Sequence, residues 1–365
     1  MNPLSDFRIG FDARLSMGRY RGMGRFTRAL VARREDSLVA FCATGEEDCS
    51  LRTVAYGPRF YPVWEQYAIP KLARKFNLEF FLAPYNTGPL NLPDRTKLLL
   101  VIYDLIYLEP RTSLPLSTSI YQNVGRYYRR YVVPRAAQKA YRIVTTSEYS
   151  RQEITSRLGI EPARISVIPV ALKADWFEDR SLEYHGERFI LAVAGEAPSK
   201  NMRRGIQAFA KYTQLSSDRS MMLKIAGVKD QYHAEFYNIA SACGIRDKVQ
   251  LLAYLEEEEL RELYKAASLF FMPSLFEGFG IPVLEALASG TPVISSNRTS
   301  LPEVGGSAAR YFDPESIDGM ASAMVEVLSN PDLSSVMRAK GCTQALKFHP
   351  SVVGKKIDAF WESLG

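Results

Sequence analysis

Short apolar runs recur along the chain, and between them apolar residues return every three or four positions. In the first half the runs at 8–13, 38–44, 78–84, 98–104, 142–147 and 165–170 are predicted strands, with helices starting near Gly24, Trp64, Ser117 and Glu148. A run such as LLLVIYDL is apolar on successive positions, which suits a strand covered on both faces. A polar stretch containing DWFEDRSLEYHGE follows, and the pattern then restarts. Strands are predicted at 189–195, 221–227, 249–254, 269–273 and 292–295, with helices from Asn201, Gln231, Glu256, Ile281 and Ser316. The final helices, through Trp361, have no strand after them. Alternating strand and helix argues for parallel sheets with helices on both sides. The expected fold class is therefore α/β, with two Rossmann-like, doubly wound domains facing a central cleft, because ligands of such sheets bind beyond the carboxyl ends of the strands. The expected boundaries are 1–173 for the first domain, 174–186 for a linker, 187–345 for the second domain, and 346–365 for a C-terminal helix packing back on the first.

Composition agrees with two cores: 365 residues, 47% hydrophobic and 24% charged. That excludes a disordered chain, a coiled coil and a fibre. No apolar run approaches the roughly 18 residues of a spanning helix, and MNPLSDFRIGFD lacks the basic-then-apolar order of a secretory signal. Four scattered cysteines and three isolated histidines offer neither a disulfide framework nor a zinc site. A cytoplasmic location with reduced thiols is expected.

Charge divides the halves. Residues 1–173 carry 26 Lys+Arg against 15 Asp+Glu, a balance of +11, and the remainder carries 20 against 25, or −5. No acidic residue occurs between Pro110 and Ser147, where Arg111, Arg126, Arg129, Arg130, Arg135, Lys139 and Arg142 alternate with five tyrosines. Basic residues with aromatic rings suit an anionic membrane surface. Nucleic acid could take the same composition, and a solvated basic helix facing the core through its tyrosines would also produce it. Arg126, Arg129 and Arg130 are the candidate membrane or anionic-acceptor patch.

The most informative segment is FMPSLFEGFGIPVLEALASGTPVISS, residues 271–296. A strand should end at Pro273, with Glu277 in a loop beside Gly278, Phe279 and Gly280. Pro282 should then open a helix, with Glu285 in its first turn and Gly290 closing it. A glycine-rich loop entering a helix brings amides close to a ligand phosphate. The two carboxylates, eight positions apart, can hold hydroxyls at different depths.

EGFGIPVLEALASGTPVI resembles the E-x7-E signature of retaining nucleotide-sugar glycosyltransferases of family 4, which have the two-domain GT-B fold. The resemblance implies that Glu285 holds the donor ribose and Glu277 the transferred sugar, with Gly278, Phe279, Gly280 and Ile281 lining the donor. FDARLSMGRYRGMGRFTRAL resembles the family's N-terminal GIGRY segment, whose loop faces the donor phosphates and acceptor, here with Gly22 and Gly24. VIYDLIYLEP resembles its HDLIP segment, carried by Tyr103 and Asp104. VAGEAPSKNMRRGIQAFAKY resembles its VGxxxPRKN segment, whose lysine, here Lys200, neutralises the donor diphosphate. SLPEVGGSAARYFDP resembles the segment that follows E-x7-E. Two positions depart from the pattern. Tyr103 replaces a histidine and would not carry a proton near neutral pH. Glu196 replaces an arginine, whose charge Arg203 or Arg204 could supply; Arg204 is taken as the donor contact. These changes bear on donor sugar or on activity.

The resemblance implies a retaining hexosyltransferase needing neither metal nor cofactor. Its best-matching reaction moves mannose from GDP-mannose to a glycan or lipid-linked acceptor in surface polysaccharide or lipopolysaccharide synthesis. The catalytic candidates are Glu277, Lys200, Tyr103 and Asp104. The expected partners are the nucleotide sugar, the acceptor and the inner face of an anionic membrane, without nucleic acid. A bilobed sugar-binding protein without activity, or a weak homologue serving as scaffold of a polysaccharide-synthesis complex, remains the alternative.

Overall fold

The computed structural model of the protein describes residues 8–17, 22–46, 52–110, 120–177 and 188–364. Residues 178–187, most of the predicted linker, lie outside the described residues, as do the loop before Gly22, Arg111 and the predicted helix start at Ser117. The chain divides into two compact units. Met1–Glu109, Thr118–Ala171 and Val353–Gly365 form the first, and Pro110–Ser117 with Leu172–Val352 form the second.

The first unit holds a seven-stranded sheet of β1 (Ile9–Asp12), β2 (Leu38–Cys42), β3 (Thr53–Ala55), β4 (Phe80–Ala83), β5 (Lys97–Val101), β6 (Arg142–Thr145) and β7 (Ile165–Val167). The order is β3-β2-β1-β4-β5-β6-β7, and every pairing is parallel. Ile9 lies opposite both Leu38 and Phe80, so the strand order reverses between β1 and β4. Its helices include α1 (Gly22–Val31), α2 (Ile69–Lys75), α3 (Ile120–Lys139) and α4 (Glu148–Leu158). Phe41, Phe81, Leu100 and Ile143 from the sheet form one core with Trp64, Leu72, Val133 and Ala136 from the helical layer. A π-helical turn, Trp64–Ala68, precedes α2 and buries Trp64, Glu65 and Ala68. α4 starts where the Ser147 side chain accepts the Ser150 amide and stops at Gly159, whose φ of +65° glycine adopts without strain.

The second unit holds β8 (Phe189–Val193), β9 (Met222–Ala226), β10 (Val249–Leu252), β11 (Leu269–Met272), β12 (Val293–Ser296) and β13 (Ala309–Phe312), again all parallel, in the order β10-β9-β8-β11-β12-β13. Here the order reverses between β8 and β11. The helices used below are α5 (Met202–Leu215), α6 (His233–Ala242), α7 (Glu257–Ala266), α8 (Ile281–Ala288), α9 (Leu301–Gly305), α10 (Ile317–Leu328), α11 (Pro331–Ala345) and α12 (Pro350–Glu362). In α5 the buried residues Met202, Gly205, Ile206, Phe209, Ala210 and Thr213 follow helical spacing, which turns one face to the core. The last residues return to the first unit, where Trp361 Nε1 donates to the Leu30 carbonyl at 2.8 Å and Arg33 pairs with Asp358.

Two strands escape the sequence pattern, β3 and β13. Both are sheet edges of three or four residues without the continuous apolar run of a doubly covered strand. The predicted linker is corrected in its first residues. Ala174–Phe177 is a short 3-10 turn in the second unit, with Trp176 and Phe177 buried. Trp176 Nε1 donates to Glu257 Oε1 at 2.9 Å, and its ring stands edge-on to Tyr264. The acidic neighbours made this segment read as solvated, yet its two aromatic side chains have a core to enter.

Candidate active site

In the second unit the segments leaving β8 and β11 meet at the reversal of strand order, where open α/β sheets bind ligands. The Leu275 amide donates to the Ser199 carbonyl at 2.8 Å, and Asn201 Nδ2 donates to the Pro273 carbonyl at 3.0 Å. Asn201 holds a left-handed conformation, φ +57°, where the 3-10 turn Pro198–Lys200 gives way to α5. These ties place Lys200 Nζ 2.7 Å from Glu277 Oε1. Ser274 Oγ donates to the same oxygen, also at 2.7 Å. The loop is held from a third side. Thr299 Oγ1 accepts the Glu277 amide at 3.2 Å, and Ser300 Oγ donates to the carbonyls of Glu277 and Phe279.

Gly280 then bends the chain into α8 with φ +107°, and a Cβ there would lie 2.7 Å from Leu301 Cδ2. Glycine is thus required twice over, by conformation and by the close approach of α9. Phe279 is buried against the edge of Phe348, whereas Gly278 and Ile281 are half-buried. α8 begins at Ile281, with Pro282 second. Glu285 is therefore its fifth residue and not in the first turn as the sequence reading placed it. It is buried, and Oε2 accepts the Tyr264 hydroxyl at 3.0 Å. Gly290 takes a left-handed conformation, φ +71°, just past the helix end.

Of the two arginines that could replace the charge missing at Glu196, Arg204 reaches Asn201 Oδ1 at 3.1 Å, beside Lys200. Arg203 turns to Glu235. Glu196 itself pairs with Lys229 at 2.8 Å. Ser274, Thr299, Ser300 and Tyr264 were not singled out in the sequence. Ser274 lies within the 271–296 segment and Ser300 within the SLPEVGG resemblance, but a hydroxyl that ties two loops has no signature in a single segment.

The first unit gathers the remaining candidates. Gly22 and Gly24 are the first and third residues of α1 rather than loop residues, and Gly24 is buried. The Tyr103 ring is buried edge-on to Phe26 at 5.6 Å, and its hydroxyl donates to the Met23 carbonyl at 3.2 Å. Burial holds that phenol far above its ordinary titration range. Asp104 is half-buried, and its Oδ1 accepts the Ile106 amide at 3.1 Å. Asp12, at the carboxyl end of β1, accepts the Arg14 amide and the Trp64 indole, and burial pushes it up to about 7. Beside it lies buried Glu65, which accepts from the Tyr61 and Tyr128 hydroxyls and from Gln66. Burial raises this carboxyl as well.

The basic patch is rearranged by the structure. Arg126 is half-buried and donates to the carbonyls of Tyr107 and Glu109, so it serves the fold of the preceding segment. Arg129 is half-buried and Arg130 exposed. The outer face of α3 instead presents Val124, Tyr127 and Tyr131, the two tyrosines 53% and 58% exposed, with Arg130, Arg135 and Lys139 along the same side. Tyr128 is the tyrosine that turns inward, to Glu65.

Two parallel α/β units, each reversing strand order beside its first strand, define the two-Rossmann GT-B fold of glycosyltransferases. The second unit goes further: residues 175–343, which include Lys200, Glu277 and Glu285, match the family described as glycosyl transferases group 1. O-antigen chain mannosyltransferase B of Escherichia coli is 30% identical over 215 residues, covering 56% of this chain and 56% of that protein. The chain spans about half the length of the curated relatives it matches. Among solved structures, WaaG, a glycosyltransferase involved in lipopolysaccharide biosynthesis, is 17% identical, with a TM-score of 0.75 over 96% of this chain and 99% of that one. Anabaena Alr3699/HepE in complex with UDP-glucose is 14% identical, with a TM-score of 0.74 over 97% and 99%.

Proposed function

We propose that this protein is a retaining, metal-independent hexosyltransferase of the family 4 type, transferring mannose from GDP-mannose to a glycan or lipid-linked acceptor in surface polysaccharide synthesis. The observation that carries the reading is the pairing of Lys200 with Glu277 at the strand reversal of the second unit, with Glu285 in the helix that follows. A nucleotide sugar has anionic and hydroxyl-rich parts, and this site offers a cation and two carboxylates on neighbouring segments. Lys200, with Arg204 near it, would meet the diphosphate, on which negative charge grows as the glycosidic bond breaks. The amides of the Gly280–Ile281 turn would add to that stabilisation. Glu277 would accept hydroxyls of the sugar and Glu285 those of the ribose. The acceptor oxygen would attack on the face the diphosphate leaves, and the leaving phosphate would take the acceptor proton. Mannose is favoured by the O-antigen mannosyltransferase relative. UDP-glucose, bound by the Anabaena protein of the same fold, is the competing donor.

The acceptor side would use the first unit, with Tyr103 and Asp104 near the carboxyl end of β5. The outer face of α3 would rest on an anionic leaflet, its tyrosines at headgroup level and its basic residues on lipid phosphates. No helix among the described residues is long and apolar enough to cross a membrane. The test is a thermal-shift screen with GDP, UDP, ADP and dTDP, followed by donor turnover with the best-matching sugar. A ligand that binds only the folded state raises the melting temperature. If no nucleotide raises it and no sugar is released from any donor, the assignment is wrong.

A further inference from the structure

The cation assigned to the diphosphate and the carboxylate assigned to the sugar hold each other. Lys200 Nζ lies 2.7 Å from Glu277 Oε1, with side-chain exposures of 26% and 11%. The contact is built in rather than casual. Ser199 and Leu275 tie the two backbones, Ser274 donates to the same Glu277 oxygen, and Thr299 and Ser300 hold the Glu277 main chain on its other side. A pair so withdrawn from water is a stronger charge-assisted hydrogen bond than one on open surface.

This arrangement has unequal effects on two ligands. A nucleoside diphosphate meets a lysine that is already neutralised, and its own charge comes to rest beside the Glu277 carboxylate. It offers that carboxylate nothing in return. A nucleotide sugar brings the same phosphates together with sugar hydroxyls, which donate to Glu277 as the lysine shifts toward the phosphate. We propose that the Lys200–Glu277 pair is a selectivity device that disfavours the nucleoside diphosphate product relative to the intact donor, so that the site empties after transfer. The inference rests on the donor-site reading above. It makes Glu277 a determinant of product release as well as a sugar contact.

The sign of one substitution tests it. Glu277→Gln keeps the side chain's shape and removes the charge, so it frees Lys200 and should tighten free nucleoside diphosphate by roughly three- to ten-fold. Its nucleotide sugar should gain less, which narrows the donor's advantage over product. Titration calorimetry would use whichever of GDP, UDP, ADP and dTDP stabilises the wild type, together with its mannose or glucose conjugate. Glu277→Ala is a second neutral variant with the same expected sign, and a melting curve shows that each is folded. In a Lys200→Met background the gain from Glu277→Gln should shrink, because the masked partner is gone; such a cycle isolates the pair. Wild type that binds none of the four nucleotides overturns the donor-site reading and this inference with it. Wild type that binds one of them, with neutral Glu277 variants that bind it equally or more weakly, overturns the inference alone. An undiminished gain without Lys200 also overturns it, since plain repulsion would then account for the effect.

Discussion

Tyr103 shows how one residue can occupy a motif position and still do local work. Its hydroxyl proton goes to the Met23 carbonyl in the first turn of α1, leaving only acceptor capacity for a substrate hydroxyl. Tyr103→Phe should cost about 1 kcal/mol of stability and lower the transfer rate modestly. It should leave the pH–rate profile unmoved near neutrality, because burial shifts this phenol upward, away from that range. A profile displaced by about one unit would mean that the hydroxyl carries a proton after all. Asp12 gives the opposite case, a buried carboxyl that does titrate near neutrality. Burial lifts it from 3.8 to about 7, so between those values the folded chain keeps a proton that the unfolded chain has released. Stability therefore falls as pH rises through that window and levels off above it. A shift of this size corresponds to about 4 kcal/mol. Asp12→Asn removes the contribution, so its melting temperature should rise relative to wild type as pH is taken from about 4 to about 7. A constant difference between the two proteins would show that Asp12 stays ionised.

At the scale of elements, α3 was legible as a basic, tyrosine-rich helix, but which residues face outward was not. The sequence alone points to Arg126, Arg129 and Arg130 as the patch. Arg126 is committed to two backbone carbonyls, and the exposed face runs through Tyr127, Arg130, Tyr131 and Arg135. Each basic residue at an anionic leaflet contributes roughly 1 kcal/mol. Combining Tyr127→Ala, Tyr131→Ala, Arg130→Gln and Arg135→Gln should abolish flotation with phosphatidylglycerol vesicles. The fold should persist, since exposed substitutions change stability by about 0.5 kcal/mol each. A folded variant that still floats would move the membrane contact off α3. The loop that carries Glu277 divides in the same way. Its glycines and both glutamates were visible as a segment, because strand, loop and helix follow one another without interruption. Glu285 sits one residue further into α8 than a start at Pro282 implies, because Ile281 opens the helix.

At the scale of the whole molecule, the C-terminal helix closes the chain onto the unit where it began. Trp361 is buried and bonded to the Leu30 carbonyl. Trp361→Ala should destabilise the protein by about 3–5 kcal/mol, the range for truncating a large buried aromatic; denaturant unfolding measures this, and a loss below about 1 kcal/mol would count against its anchoring role. The apolar runs alone specified most of both parallel sheets, since doubly covered strands must be apolar on consecutive positions, whereas the edge strands β3 and β13 carry no such run. The glycine-rich loop from Glu277 to Gly280 and the helix carrying Glu285 were legible too, because their residues are contiguous. Tertiary structure alone decided that Lys200 and Glu277, seventy-seven positions apart, neutralise each other. It alone decided that Asp12 and Glu65 are buried in the first unit, and that Trp176 and Phe177 enter the core of the second. The physical reason is common to all three. Periodicity records which face of an element is buried, whereas pairing and desolvation depend on which other segment arrives at that face.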